Sequence, residues 1–143
     1  MTEVKNTSDR FISAFNAHDE HALLALHADD IKFNAPGGFK ATNAKDATGF
    51  AMTWLKAFPD GKMKLRSEII SGPWVVQEIT MEGTHTAPLV TPTGTVPATH
   101  KKVVGYGVQL FRIENAKIAE ARIYYDQLDQ MSQLGLIPTP ATV

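Results

Sequence analysis

Residues 103–126 read VVGYGVQLFRIENAKIAEARIYYD. Two runs of β-branched, aromatic and alternating residues flank Glu114-Asn115-Ala116-Lys117. That pattern predicts a hairpin of strands over 103–113 and 118–126, closed by a tight turn. Pairing Ile113 with Ile118 sets Gln109 opposite Arg122, Gly107 opposite Tyr124 and Gly105 opposite Asp126. Two glycines facing a tyrosine and an acid leave space beside them, which a small-molecule site needs. The other face, with Val104, Val108, Leu110, Ala121 and Ile123, is the more apolar. Asp126-Gln127-Leu128-Asp129 is also a good helix start with Asp126 as its cap, so the acid has a structural reading beside the chemical one.

More strand lies upstream. Met63, Leu65, Ser67 and Ile69 alternate with Lys64, Arg66 and Glu68; Ser71-Gly72-Pro73 turns the chain; Trp74 to Thr84 forms a longer strand. On that strand Gln77 shares parity with Val75, Ile79 and Met81, and His85 continues the series. A polar residue on an apolar face needs a buried partner or a ligand. Between the strands, Thr86 to Thr99 carries Pro88, Pro92 and Pro97 and reads as a lid, a binding loop or a dimer contact.

Helices come first. Ser8 is a suitable cap for a helix with Phe11, Ile12 and Phe15 on one face, and Asp19 for a second with Leu23, Leu24 and Leu26. A short strand over Ile31 to Asn34 stops at Pro36-Gly37-Gly38. A third helix spans Ala44 to Phe58, with a stripe of Phe50, Trp54, Leu55 and Phe58, and ends at Pro59-Asp60-Gly61. A last short helix over Gln127 to Leu134 stops at Gly135. Three helices followed by four long antiparallel strands predict a single α+β domain over residues 1–143, with 138–143 as a loose tail. Helices across the concave side of a curved sheet make a cone with room for a pocket.

Composition narrows the function. With 14 basic and 15 acidic residues in 143, the formal charge of −1 offers no bulk attraction to nucleic acid or anionic membrane. The absence of cysteine removes thiol catalysis, disulfides and Cys-ligated metal. No run reaches the ~20 apolar residues of a membrane span, and the polar Met1–Arg10 carries no export signal, so a cytoplasmic protein is expected. Phosphate-loop, nucleophile-elbow and zincin motifs are missing. His18, His21 and His27 are near one another in sequence, but the His18/His21 pair straddles a predicted helix break, and they read as polar helix ends rather than metal ligands.

Phe15-Asn16-Ala17-His18-Asp19 and then Leu26-His27-Ala28-Asp29-Asp30-Ile31-Lys32-Phe33 resemble the opening of NTF2-like domains. Gly83-Thr84-His85-Thr86, Ile118-Ala119-Glu120, Tyr125-Asp126 and Gln133-Leu134-Gly135-Leu136 are similar to the SnoaL-like polyketide cyclases within that superfamily. The resemblance runs from about Asp9 to Pro138 and implies a cone-shaped barrel, commonly a homodimer, that binds a small apolar carbonyl compound. Its members close rings by intramolecular aldol chemistry without metal or organic cofactor. An aspartate at the end of the last strand serves them as acid/base, a position that Asp126 matches. Tyr124 stands where they can carry histidine, and His85 joins them as a candidate catalytic group. Gln77, Gln109, Arg122, Trp54 and Met81 are the candidate substrate-binding residues. The chain departs from the family pattern at Ala87 and at Thr99-His100. Asn34-Ala35-Pro36 lacks the carboxylate of the ketosteroid isomerases, and no Asp-Arg-Asp set of an epoxide hydrolase is present. Another hydrolase or lyase, or a non-catalytic pocket protein, stays open as an alternative. The face carrying Val104, Val108, Leu110 and Ile123 is the expected dimer contact.

Overall fold

A computed structural model describes residues 2–91 and 94–137. The expected tail at 138–143 and Pro92 lie outside them. Helices α1 (Glu3–Asn16) and α2 (Glu20–Leu26) lead into strand β1 (His27–Ala35). A 3₁₀ turn at Pro36–Gly38 and the short β2 (Phe39–Ala41) precede α3 (Ala44–Ala57). Strands β3 (Lys62–Ser71) and β4 (Trp74–Thr84) follow, then a small hairpin of β5 (Leu89–Thr91) and β6 (Gly94–Val96). Strands β7 (Lys102–Glu114) and β8 (Lys117–Tyr125) and helix α4 (Gln127–Gln133) complete the order. The architecture is the expected α+β arrangement, with the helices packed on one side of a mostly antiparallel sheet.

The main sheet runs β2-β1-β8-β7-β4-β3. All its pairings are antiparallel except β1 with β8. Phe11 and Phe15 of α1, Leu23 and Leu26 of α2, and Ala51 and Leu55 of α3 pack with Val75, Ile79, Phe111 and Ala121 of the sheet. Burying this much apolar surface on one side is the main stabilising contribution.

The helix ends follow local chemistry. Asp19 caps α2 by accepting from the Ala22 N–H at 3.0 Å, as its position predicts. The first helix starts earlier than expected. Thr2 caps it, accepting from the Lys5 N–H at 3.1 Å, whereas Ser8 lies buried inside the helix with its Oγ donating to the Lys5 carbonyl. Asn43 caps α3 by accepting from the Asp46 N–H at 2.8 Å. The turn that follows α3 is stapled to the end of β4, because Asp60 accepts from both the backbone N–H and the hydroxyl of Thr84. Gly61 is required there: a Cβ would sit 2.5 Å from the Trp54 ring.

The β7–β8 hairpin turns through Asn115 and Ala116, both left-handed at φ 53° and 58°, the geometry a two-residue hairpin loop demands. Ile113 pairs with Ile118 as expected, but Arg112 pairs with Glu120. Ala119 is therefore an extra residue, a β-bulge, and both Ile118 and Ala119 are buried. Everything beyond it is shifted by one: Gln109 faces Ile123, Val108 faces Tyr124 and Gly107 faces Tyr125. The register expected from simple alternation is thus corrected, and with it the side of the sheet on which each β8 residue stands.

Candidate active site

A cleft of about 230 Å³ opens between α3, the sheet and the start of α4. Trp54 of α3, Met81 of β4, Val103, Gly105 and Tyr106 of β7, and Tyr125 at the end of β8 line it, with Asp126, Asp129 and Gln130 at the start of α4. The expected residues Asp126, Trp54 and Met81 are brought together here. Asp126 is the helix cap that the sequence allowed, and it also stands at the cleft. Its Oδ1 accepts from the Asp129 N–H at 2.9 Å and caps α4, while its exposed side chain borders the cleft.

The bulge decides which tyrosine joins it. Tyr125 stands over Gly107, whose missing side chain makes room: a Cβ there would lie 3.5 Å from Tyr125 Cβ. Burial pushes the Tyr125 hydroxyl up from its ordinary pKa, so it stays a neutral donor. Tyr124, expected to face inward, is 57% exposed on the outer side of the sheet. Arg122 lies on that outer side as well, with its guanidinium 5.1 Å from the Trp74 ring centre and paired with Glu120 at 2.7 Å. The Arg122 contact holds the Glu120 carboxyl below its usual range. Sequence alternation missed Tyr125. The adjacent apolar pair Ile118-Ala119, which breaks strict alternation, is the feature that could have found it.

The other candidates lie inside the cone but do not line the cleft. Gln77 and Gln109 are buried and partner one another: Gln109 Nε2 donates to Gln77 Oε1 at 2.8 Å and to Met63 Sδ at 3.6 Å. Gln77 Nε2 donates to Glu68 at 2.7 Å, and Glu68 meets Lys5 at 2.9 Å. The demand for a buried partner is met by protein, and the chain of contacts ties α1 to the sheet. His85 is fully buried, stacked 5.3 Å from the Phe58 ring centre. Its Nδ1 accepts from the Thr99 N–H at 3.2 Å, closing the base of the proline-bearing loop. Desolvation first, and then His100, lower its pKa, so it is a neutral clasp. His27, read as a polar helix end, is instead buried at the start of β1, 2.9 Å from Thr48 Oγ1. No group of three metal-ligating side chains exists among the described residues.

One more contact fixes the site's rim. Gln133 of α4 accepts from the Val104 N–H at 2.8 Å and donates to the Val104 carbonyl at 2.9 Å. The same amide donates to Asp129 at 2.8 Å. Helix α4 is thereby held against β7, and Asp126 with it.

The profile of the SnoaL-like polyketide cyclases matches residues 5–134, nearly the whole of the cone and its site. The chain belongs to the SnoaL-like polyketide cyclase family. Within it, the aklanonic acid methyl ester cyclase DnrD of Streptomyces peucetius is 36% identical over 135 residues, covering 92% of this chain and 90% of the relative. The aklanonic acid methyl ester cyclase DauD of Streptomyces sp. (strain C5) is 31% identical over 139 residues, covering 92% and 81%. Among solved structures, AclR of Streptomyces galilaeus superposes with a TM-score of 0.81 at 23% identity, over 97% of this chain and 85% of its own. That last likeness speaks for the shared fold.

Proposed function

We propose that this SnoaL-like protein is a cofactor-independent cyclase that closes a ring on a polyketide ester by intramolecular aldol addition, with Asp126 as acid and base. The observation that carries this reading is the carboxylate of Asp126 at the end of the last strand, bordering a cleft walled by Trp54, Met81 and Tyr125. One oxygen is used in the helix cap, which fixes the carboxylate, and Oδ2 is left for substrate. A carbon between carbonyls is acidic enough for one carboxylate to deprotonate. The enolate carbon then adds to a ketone of the same molecule, and Asp126 returns the proton to the new alkoxide. The cleft contributes by folding the chain so that the reacting carbons meet. The names of DnrD and DauD support a small carbonyl ester as ligand. The proposal takes the cytoplasm as its setting.

The test is turnover of aklanonic acid methyl ester. Wild type should cyclise it, and Asp126→Asn should lose ~10²–10⁴ in rate. Asparagine is itself a good helix cap, so melting should move little. A variant that keeps full turnover would return Asp126 to a purely structural role.

We also propose a homodimer through the outer face of the sheet. Val104, Tyr106 and Tyr124 are exposed there, beside Val108 and Leu110. Ile123, once counted with them, faces inward because of the bulge. Light scattering should report twice the chain mass at micromolar concentration; a Val108→Glu variant should report one.

A further inference from the structure

Tyr125 closes β8, and its side chain takes the inner side of the sheet. It pairs with Gly107, which shares the buried parity of Gln109 and Phe111. A Cβ on Gly107 would lie 3.5 Å from Tyr125 Cβ, so the two positions face the same way. Tyr125 also borders a shallow outer groove with Glu78, Val108 and Tyr124. The register gives its ring to the inner side, where the residue walls the cleft with Trp54, Met81 and Asp126.

The phenolic oxygen is unpaired but not sealed off. It makes no hydrogen bond with any described residue. Among the described residues, the fully buried side-chain atoms without a partner are Trp54 Nε1 and His85 Nε2, and the Tyr125 oxygen is not one of them. Burial nonetheless pushes its pKa above the ordinary value, so the hydroxyl is half-enclosed and keeps its proton at neutral pH. A phenol in that setting is paired by water until a ligand group takes the water's place. Asp126 is the next residue, with its Cα about 3.8 Å along the chain, and the helix cap uses only its Oδ1. A donor and a carboxylate thus come from adjacent positions in one cleft wall.

We propose that the Tyr125 hydroxyl donates to the substrate carbonyl oxygen whose α-carbon Asp126 deprotonates. This rests on the cyclase reading above and adds the group that receives the charge. When the C–H proton passes to Asp126, the C–H electron pair forms a C=C bond and the carbonyl π pair moves onto oxygen. Tyr125 keeps its proton throughout, and its hydrogen bond strengthens as that oxygen turns from carbonyl to enolate. When the enolate carbon attacks the ketone, the pair returns to restore the carbonyl, and the proton on Asp126 goes to the alkoxide. The carbon lies between two carbonyls, so the enolate charge is shared by two oxygens. A neutral donor on one of them is therefore worth about an ordinary hydrogen bond.

The test pairs a deletion on the protein with a deletion on the ligand. 1-Tetralone is an aromatic ketone with no second carbonyl to attack, and tetralin is the same bicycle without the oxygen. Calorimetry gives the ratio of their dissociation constants for wild type, Tyr125→Phe and Tyr124→Phe. Wild type and Tyr124→Phe should favour the ketone equally, and Tyr125→Phe should lose about three- to tenfold of that preference. The infrared carbonyl stretch of bound 1-tetralone should lie at lower frequency in wild type than in Tyr125→Phe. A ratio and a stretch that are the same in wild type and Tyr125→Phe overturn the proposal, as does a wild type that does not bind 1-tetralone up to its solubility limit. A preference lost in Tyr124→Phe instead would move the donor to the outer groove and overturn it too. If wild type binds the ketone through Tyr125 but does not turn over aklanonic acid methyl ester, the cyclase reading falls and the carbonyl contact stands.

Discussion

Tyr125 sits directly across the β7–β8 ladder from Gly107, and its Cβ lies 3.5 Å from where a side chain at 107 would begin. A Cβ at Gly107 would lie 3.1 Å from the Tyr124 carbonyl oxygen and 3.7 Å from Ile79 Cγ1. Gly107→Ala should therefore overpack the inner face and cost roughly 1–3 kcal/mol, read as a lowered Tm. Gly105 is different: the nearest atom to a Cβ there is the Met81 carbonyl oxygen at 3.9 Å. Gly105→Ala should leave the Tm close to wild type and raise KM, because its methyl enters the cleft. Equal behaviour of the two variants would contradict the placement of the cleft.

The adjacent tyrosines should separate functionally. Tyr125→Phe removes a hydroxyl from a half-buried residue of the cleft wall, and kcat/KM should fall by up to about tenfold, the worth of one neutral hydrogen bond. Tyr124→Phe alters an exposed outer residue and should leave kcat/KM unchanged. Steady-state kinetics on both variants decides the matter, and the reverse ranking would mean that the hairpin register is wrong.

His27 gives the fold an acid limit. Burial lowers its pKa from the usual 6.5 to about 4. Between those values the unfolded chain binds a proton that the folded chain refuses, so stability rises with pH across the window and levels off above 6.5. Lowering pH from 6.5 to 4 should cost roughly 3 kcal/mol through this residue. Denaturant melts at pH 7, 5.5 and 4 measure it. His27→Asn should show a shallower pH slope; an unchanged slope would assign the acid sensitivity elsewhere.

Gln133 should matter more than an exposed helical glutamine usually does. Its amide makes both backbone hydrogen bonds of Val104 and so positions α4 against β7. Gln133→Ala should lose about 1–2 kcal/mol of stability and, through Asp126, a larger share of kcat than of KM. Hydrogen exchange at the Val104 amide reports the loosening directly. An unaltered exchange rate together with unaltered kcat would show that α4 needs no such clamp.

Much of this architecture can be read along the chain because local and tertiary preferences agree. Phe50, Trp54, Leu55 and Phe58 announce α3, Asp19 announces its own cap, and Glu114-Asn115-Ala116-Lys117 announces the turn. Where reading failed, a small residue was the reason. Ser8 looks like a cap, yet it is compact enough to be buried within α1, so the helix extends back to Thr2. Ala119 next to Ile118 does break the alternation, but a side chain so small is as common on either face of a strand, and the signal is weak. Gln77 and His85 are legible as polar residues on an apolar strand face, whereas the pairing of Gln77 with Gln109 is not. Their partners at Thr99, Glu68 and Lys5 come from distant segments, and no spacing rule connects them.

The bulge at Ala119 is a place where the chain can lose a residue and keep its site. Ile118 pairs with Ile113 and Glu120 with Arg112, so Ala119 has no partner of its own. With that alanine removed, Glu120 would follow Ile118 directly and keep Arg112 opposite it, and Tyr125 would still stand across from Gly107. When homologous chains are aligned, a one-residue gap at this position marks a change in the shape of the strand and leaves the composition of the cleft as it was.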